Sequence, residues 1–111
     1  MNEQDVENFI KLRLVFHGLL AKGWTYEITD VVGDNYFGYT NFEKKVICIS
    51  RYEWPTTDRN IQEVVHHELA HALVGHGDHN LEWWDKLIEI GGRGVWVWDH
   101  DGSVEQVRIE N

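Results

Sequence analysis

Cysteine is nearly absent from this chain of 111 residues, and its scarcity excludes several classes of small domain. Cys48 is the only cysteine, so no disulfide can form within the chain. A single thiol also excludes the thiolate-rich sites of zinc fingers and zinc ribbons. Because Cys48 lies in the apolar run 46–49, it is predicted to be a buried structural thiol.

Basic residues and long apolar runs are also few. Ten Lys and Arg against 19 Asp and Glu give a net charge of −9, which disfavours direct nucleic-acid binding. The segment 43–59 contains a local group of basic residues: Lys44, Lys45, Arg51 and Arg59. This group is interpreted as a solvated strand edge, in which lysines prevent pairing with another chain. No apolar run approaches the roughly 18 residues that span a bilayer, and no signal peptide is recognised. A cytoplasmic protein without membrane contact is expected.

The length and the periodicity of the chain predict a single α+β domain over residues 1–111. An amphipathic helix is predicted over 4–22, with Phe9, Leu12, Phe16 and Leu19 on its buried face and Gly23 as its stop. Apolar and β-branched segments predict strands over 24–32, 36–41 and 43–50, and a turn signal at 33–35 favours an antiparallel meander.

The second half of the chain predicts two further helices and a hairpin. The helices are expected over 59–74, ended by Gly75, and over 81–90. The hairpin is expected over 95–109. The order α-β-β-β-α-α-β-β defines an α+β fold with a small antiparallel sheet.

Five of the seven histidines cluster between positions 66 and 79, and two of them belong to the pattern H-E-x-x-H at 67–71. His67 and His71 are four residues apart, so a helix stacks both imidazoles on one face, where they can reach the same ion. Glu68 lies about 100° around the helix. Zinc acidifies bound water, and a carboxylate placed in this way can accept the proton.

A third ligand is expected just downstream, because catalytic zinc sites use three protein ligands and a water. His76 and His79 are both candidates. Val74 and Gly77 stand where the metzincin pattern requires Gly and His, so that class is excluded. His66, adjacent to His67, is predicted to pack in the interior, to take part in a cap or to contact a metal-binding side chain. Asp78 and Asp85 could accept a hydrogen bond from a metal-binding imidazole and so orient it.

The stretch H-E-L-A-H-A-L-V-G-H-G-D-H-N-L-E-W-W, which begins at His67, resembles the metalloprotease core of SprT-like proteins, especially the short bacterial and phage members. The resemblance covers residues 46–92. It implies a compact zincin-like core, a zinc ion and a protein or peptide substrate. In that family the third ligand precedes a bulky aromatic by four residues, which implies His79 before Trp83. The cysteine-rich ribbon and basic tails of many members are missing, which puts the family's link to DNA-protein crosslinks in doubt.

These residues are compatible with three functions. The first is a zinc metallopeptidase in which His67, His71 and His79 hold the metal and Glu68 is the general base. The second is a different zinc hydrolase, such as a nuclease with three histidine ligands. The third is a binding module with structural zinc, which would need a fourth ligand and could use both His76 and His79. Tyr39, Arg51 and Tyr52 are candidate donors to the oxyanion.

Overall fold

The structure is a computed structural model that describes residues 2–29, 38–50 and 58–92, without the side chains of residues 58–61. The elements follow the predicted order α-β-β-β-α-α, which confirms the α+β class. The predicted hairpin at 95–109 lies outside the described residues. In chain order the elements are α1 (Glu3–Phe16), a short 3-10 turn (Leu20–Lys22), β1 (Thr25–Thr29), β2 (Gly38–Asn41), β3 (Val46–Ser50), α2 (Asp58–Val74) and α3 (Leu81–Glu89).

Helix α1 begins at a capping box and ends earlier than predicted. The Asn2 side chain accepts a hydrogen bond from the backbone N–H of Asp5 at 2.8 Å, and the Asp5 carboxylate accepts one from the N–H of Asn2. These contacts satisfy two N–H groups that have no partner within the helix. Gly18 takes a φ of +76°, a left-handed conformation that terminates a helix readily. The chain therefore leaves the helix after Phe16.

The buried face of α1 differs from the predicted one. Val6, Ile10 and Leu14 are almost fully buried, whereas Leu12 and Phe16 are 68% and 76% exposed. The prediction was wrong for these two side chains because α1 packs against α2 and β1 through the stripe at i, i+4 and i+8. Leu19 is buried as predicted, but it lies beyond the end of the helix.

The sheet is mixed, with the strand order β1-β3-β2. Strand β2 pairs with β3 in the antiparallel sense, with Gly38 opposite Ile49. Strand β1 pairs with β3 in the parallel sense, with Thr25 opposite Val46. The predicted antiparallel meander is therefore correct for one strand pair and wrong for the other. Strand β3 occupies the centre of the sheet. Its residues 47–50 are all buried, and they include Cys48 as predicted.

Helix α2 lies in the centre of the described structure, between the sheet and the other two helices. Val65 and Leu69 of α2 are completely buried, together with Ile47 and Ile49 of the sheet. Trp83 and Leu87 of α3 join the same core. No helix in residues 2–29 or 58–92 combines the length and the apolar character that crossing a bilayer requires.

Candidate metal centre

The end of α2 and the loop after it bring three histidine side chains together. Gly75 follows the last residue of the helix with a φ of +86°, and its N–H donates to the carbonyl of His71 at 2.8 Å. This left-handed residue ends α2 and turns the chain. Helix α3 then begins where the Asn80 side chain accepts a hydrogen bond from the N–H of Trp83 at 3.1 Å. The short connection between the helices carries His76 and His79.

The Nε2 atoms of His67, His71 and His79 converge. The Nε2 of His79 lies 3.1 Å from the Nε2 of His71 and 3.1 Å from the Nε2 of His67. Within the described parts of the chain, these residues form the only group of three or more histidine, cysteine or acidic side chains placed to hold an ion, with ligand atoms within 4.8 Å of one another. The group contains His67, His71 and His79 but not His76.

The three imidazoles fit a divalent cation such as zinc. Tetrahedral zinc with Zn–N bonds of 2.0–2.1 Å would separate two ligand nitrogens by roughly 3.3 Å, close to the 3.1 Å found for the two pairs that include His79. Burial lowers the pKa of His67 well below its usual value, and the neighbouring His71 and His79 lower it further. Burial is also the main cause that lowers the pKa of His71 to about 4. Neutral rings have a free nitrogen lone pair, which metal coordination requires.

Each ring nitrogen of His71 has a separate partner. Its Nδ1 lies 3.0 Å from the carbonyl oxygen of His76, and because a carbonyl only accepts, the proton belongs on Nδ1. The unprotonated Nε2 then faces His79 and the candidate metal. Metal-binding histidines commonly use this arrangement to keep the correct tautomer. His76 therefore contributes to the centre through its main chain.

The imidazole of His76 points to other residues. Its Nδ1 accepts a hydrogen bond from the N–H of Asp78 at 3.2 Å, and its Nε2 lies 2.9 Å from a carboxylate oxygen of Glu82. Of the two candidates for the third ligand, only His79 brings its ring to His67 and His71.

Trp83 forms a buried wall behind the three histidines. Its side chain is 2% exposed, and its ring centroid lies 4.6–5.3 Å from the centroids of His67, His71 and His79. The indole N–H donates to the carbonyl of His67 at 3.4 Å. Trp83 also belongs to the hydrophobic core. Trp84 is partly buried against it.

Glu68 points from α2 towards strand β2. Its side chain is only 5% exposed, and the Thr40 hydroxyl lies 2.9 Å from its Oε1 and 3.1 Å from its main-chain oxygen. Burial raises the pKa of Glu68 to about 8, while the hydrogen bond from Thr40 opposes that change. A nearby cation would favour the charged carboxylate and lower this pKa. Sequence reasoning missed Thr40, because no local pattern links a strand threonine to a helix 28 residues away.

The remaining candidates lie apart from the three histidines or outside the described residues. His66 is buried as predicted, with its ring edge-on to Phe9 at 5.6 Å. Neither of its ring nitrogens has a hydrogen-bond partner in the described structure. Tyr39 is 41% exposed and alternates with Thr40, so it faces the other side of β2. Arg51, Tyr52 and the Arg59 side chain lie outside the described residues.

The fold is shared with two solved metallopeptidase zymogens. Jannalysin of Methanocaldococcus jannaschii superposes with a TM-score of 0.63 at 14% identity, over 76% of this chain and 79% of that one. Abylysin of Pyrococcus abyssi gives a TM-score of 0.59 at 16% identity, over 74% of this chain and 75% of that one. No protein-family profile and no curated protein sequence matches the chain. The superpositions show that this chain shares its small α+β fold with both proteins.

Proposed function

We propose that this protein is a zinc-dependent peptidase of the SprT-like type, formed by a single domain over residues 1–111. The observation that carries the proposal is the convergence of three histidine side chains, two of them on the helix that also carries the buried Glu68. The fold shared with two metallopeptidase zymogens supports a peptide or protein substrate.

His67, His71 and His79 would hold the zinc ion, and His76 would orient His71 through its carbonyl oxygen. Bound zinc supplies an acidified water and a Lewis acid for the substrate carbonyl. Glu68 would accept the proton of the attacking water and pass it to the leaving amine. Trp83 would close the inner side of the centre with apolar surface, which strengthens the electrostatic interactions there.

A structural zinc site is the less favoured alternative. Such sites are usually closed by four protein ligands, and His76 was the candidate for the fourth. Its ring is instead 2.9 Å from the carboxylate of Glu82. Among the described residues no fourth ligand joins the three histidines, which supports a centre with an open coordination position of the kind that catalytic sites require.

The decisive experiment compares the wild type with Glu68→Gln, using metal analysis and cleavage of casein or a peptide library. Glu68→Gln should retain zinc but lose about 100-fold or more of the hydrolysis rate, because general-base catalysis contributes roughly that much. Glu43→Gln is the matched control, since Glu43 is exposed in a turn. Substantial hydrolysis by folded Glu68→Gln would remove Glu68 from the reaction. Cleavage of DNA instead of peptides would favour the nuclease alternative.

A further inference from the structure

We infer that Thr40 is a positioning residue that holds the carboxylate of Glu68 in its working orientation. The inference rests on the proposed function, because it gives Thr40 a role through the general base. Its evidence is nevertheless independent of the metal ligands. It comes from the contact between strand β2 and helix α2.

One face of β2 lies against the Glu68 side chain. Gly38 and Thr40 are two residues apart in the strand, so they share that face. A Cβ atom at Gly38 would lie 3.4 Å from the Cγ of Glu68 and only 2.7 Å from the carbonyl oxygen of Cys48. A side chain at Gly38 would therefore collide with the backbone of β3, while the Glu68 side chain lies at van der Waals distance from this position. Two residues further along, the Thr40 hydroxyl is within hydrogen-bond distance of Glu68.

The Thr40 hydroxyl has two acceptors but a single proton. It lies 2.9 Å from Oε1 of Glu68 and 3.1 Å from the main-chain oxygen of the same residue. When a bound cation keeps Glu68 charged, its carboxylate is the stronger acceptor of the two. Donation to Oε1 restricts the rotation of a side chain that otherwise has several rotamers. In the proposed reaction, the second carboxylate oxygen would then accept the proton of the attacking water.

The alternative is a merely structural contact, in which the hydroxyl only joins β2 to the main chain of α2. The two roles differ in what they predict. A structural hydroxyl would affect stability in the same way whether or not the Glu68 side chain is present. A positioning hydroxyl would be coupled to that side chain and would affect turnover more than substrate binding.

The first test is kinetic, with Thr40→Val, which keeps the shape but removes the hydroxyl, and Thr40→Ser, which keeps the hydroxyl. We expect Thr40→Val to bind zinc normally, with kcat reduced about 10- to 100-fold and KM little changed, because small misplacements of a catalytic group have effects of that size. Thr40→Ser should retain most of kcat. Full kcat in Thr40→Val, or equal losses in both variants, would overturn the inference.

Thr29→Val is a matched control, because Thr29 lies in the same sheet and its hydroxyl has no hydrogen-bond partner in the described structure. Its kcat should equal that of the wild type. If Thr40→Val does not fold, the pair Thr40→Ser and Thr40→Ala provides the same comparison, since the two differ only in the hydroxyl.

The second test needs no catalytic activity. Thr40→Val is combined with Glu68→Ala in a double-mutant cycle on the metal-free protein, and the midpoint of urea unfolding is measured. The shift caused by Thr40→Val should be smaller in the Glu68→Ala background. An equal shift in both backgrounds would show that the hydroxyl serves only the main chain, and would overturn the inference. A coupled cycle in a wild type without hydrolysis would instead count against the proposed function.

Discussion

At the scale of single residues, His76 and His79 show how two nearby histidines can serve one centre in different ways. His79 contributes its ring, whose Nε2 lies 3.1 Å from the Nε2 atoms of His67 and His71. His76 contributes its carbonyl oxygen, which accepts the hydrogen bond from Nδ1 of His71. Side-chain substitution removes the first contribution but keeps the second, since every residue has a carbonyl group.

This difference predicts the zinc affinities of two alanine variants. His79→Ala should weaken zinc binding by more than the roughly 10- to 100-fold that follows the loss of an outer-sphere partner. His76→Ala should weaken it much less, because its main chain can still orient His71. Competitive titration of the metal-free proteins with a zinc chelator measures both constants. The reverse ranking would reassign the third ligand to His76.

The residue scale also shows which parts of the centre could be predicted. His67 and His71 follow from helical periodicity, and His79 lies only a few residues beyond the helix, so local sequence contains all three candidate ligands. Thr40 could not be predicted in this way. Its contact with Glu68 depends on which strand lies over α2, and that is decided by the packing of the whole sheet.

At the scale of elements, α1 shows the limit of periodicity. Its apolar residues form two stripes, and both have helical spacing. Val6, Ile10 and Leu14 face α2 and the sheet, while Leu12 and Phe16 face outwards. Periodicity predicts the helix, but the choice between the stripes depends on the partners, which are distant in sequence.

Two leucine substitutions in α1 provide a direct check. Leu14 is 2% exposed and Leu12 is 68% exposed, and both lie inside the same helix, so Leu→Ala changes helix propensity equally. Leu14→Ala should lower the free energy of unfolding by about 2–5 kcal/mol through the cavity that it leaves. Leu12→Ala should change it by only about 0.5 kcal/mol. Urea denaturation measures both values, and similar losses would contradict the assigned face.

The order of the strands in the sheet was only partly predictable, because it too depends on partners that are distant in sequence. The turn signal at 33–35 indicates that the chain reverses, but it does not say which strands become neighbours. The uninterrupted apolar run of β3, whose residues 47–50 are buried, is typical of a strand covered on both faces. That run is the one local sign that β3 lies between the other two strands, with β1 parallel to it.

At the scale of the whole molecule, a bound ion would connect α2 to the segment that leads into α3. His67 and His71 belong to α2, and His79 lies just before the first residue of α3. An ion held by all three would bind the folded chain in preference to the unfolded one. Such binding stabilises by about 3–4 kcal/mol when the free metal exceeds its dissociation constant 100- to 1,000-fold.

Removal of the metal should therefore lower the melting temperature, by roughly 10 °C or more for a domain of this size. Calorimetry before and after chelation measures the change, with metal analysis to verify the removal. His79→Ala is the control, because a variant that binds zinc poorly should melt at the same temperature with and without chelator. A wild-type melting curve that chelation leaves unchanged would argue against a stabilising ion.

The three candidate ligands and the partner of the proposed general base differ greatly in their separation along the chain. The ligands lie within residues 67–79, so their convergence needs only one helix and the bend that follows it. Glu68 meets Thr40 across 28 residues, and that contact exists only when β2 lies against α2. A misassembled molecule could thus carry a full complement of zinc and still be inert. Metal content alone would overestimate the competent fraction of a preparation.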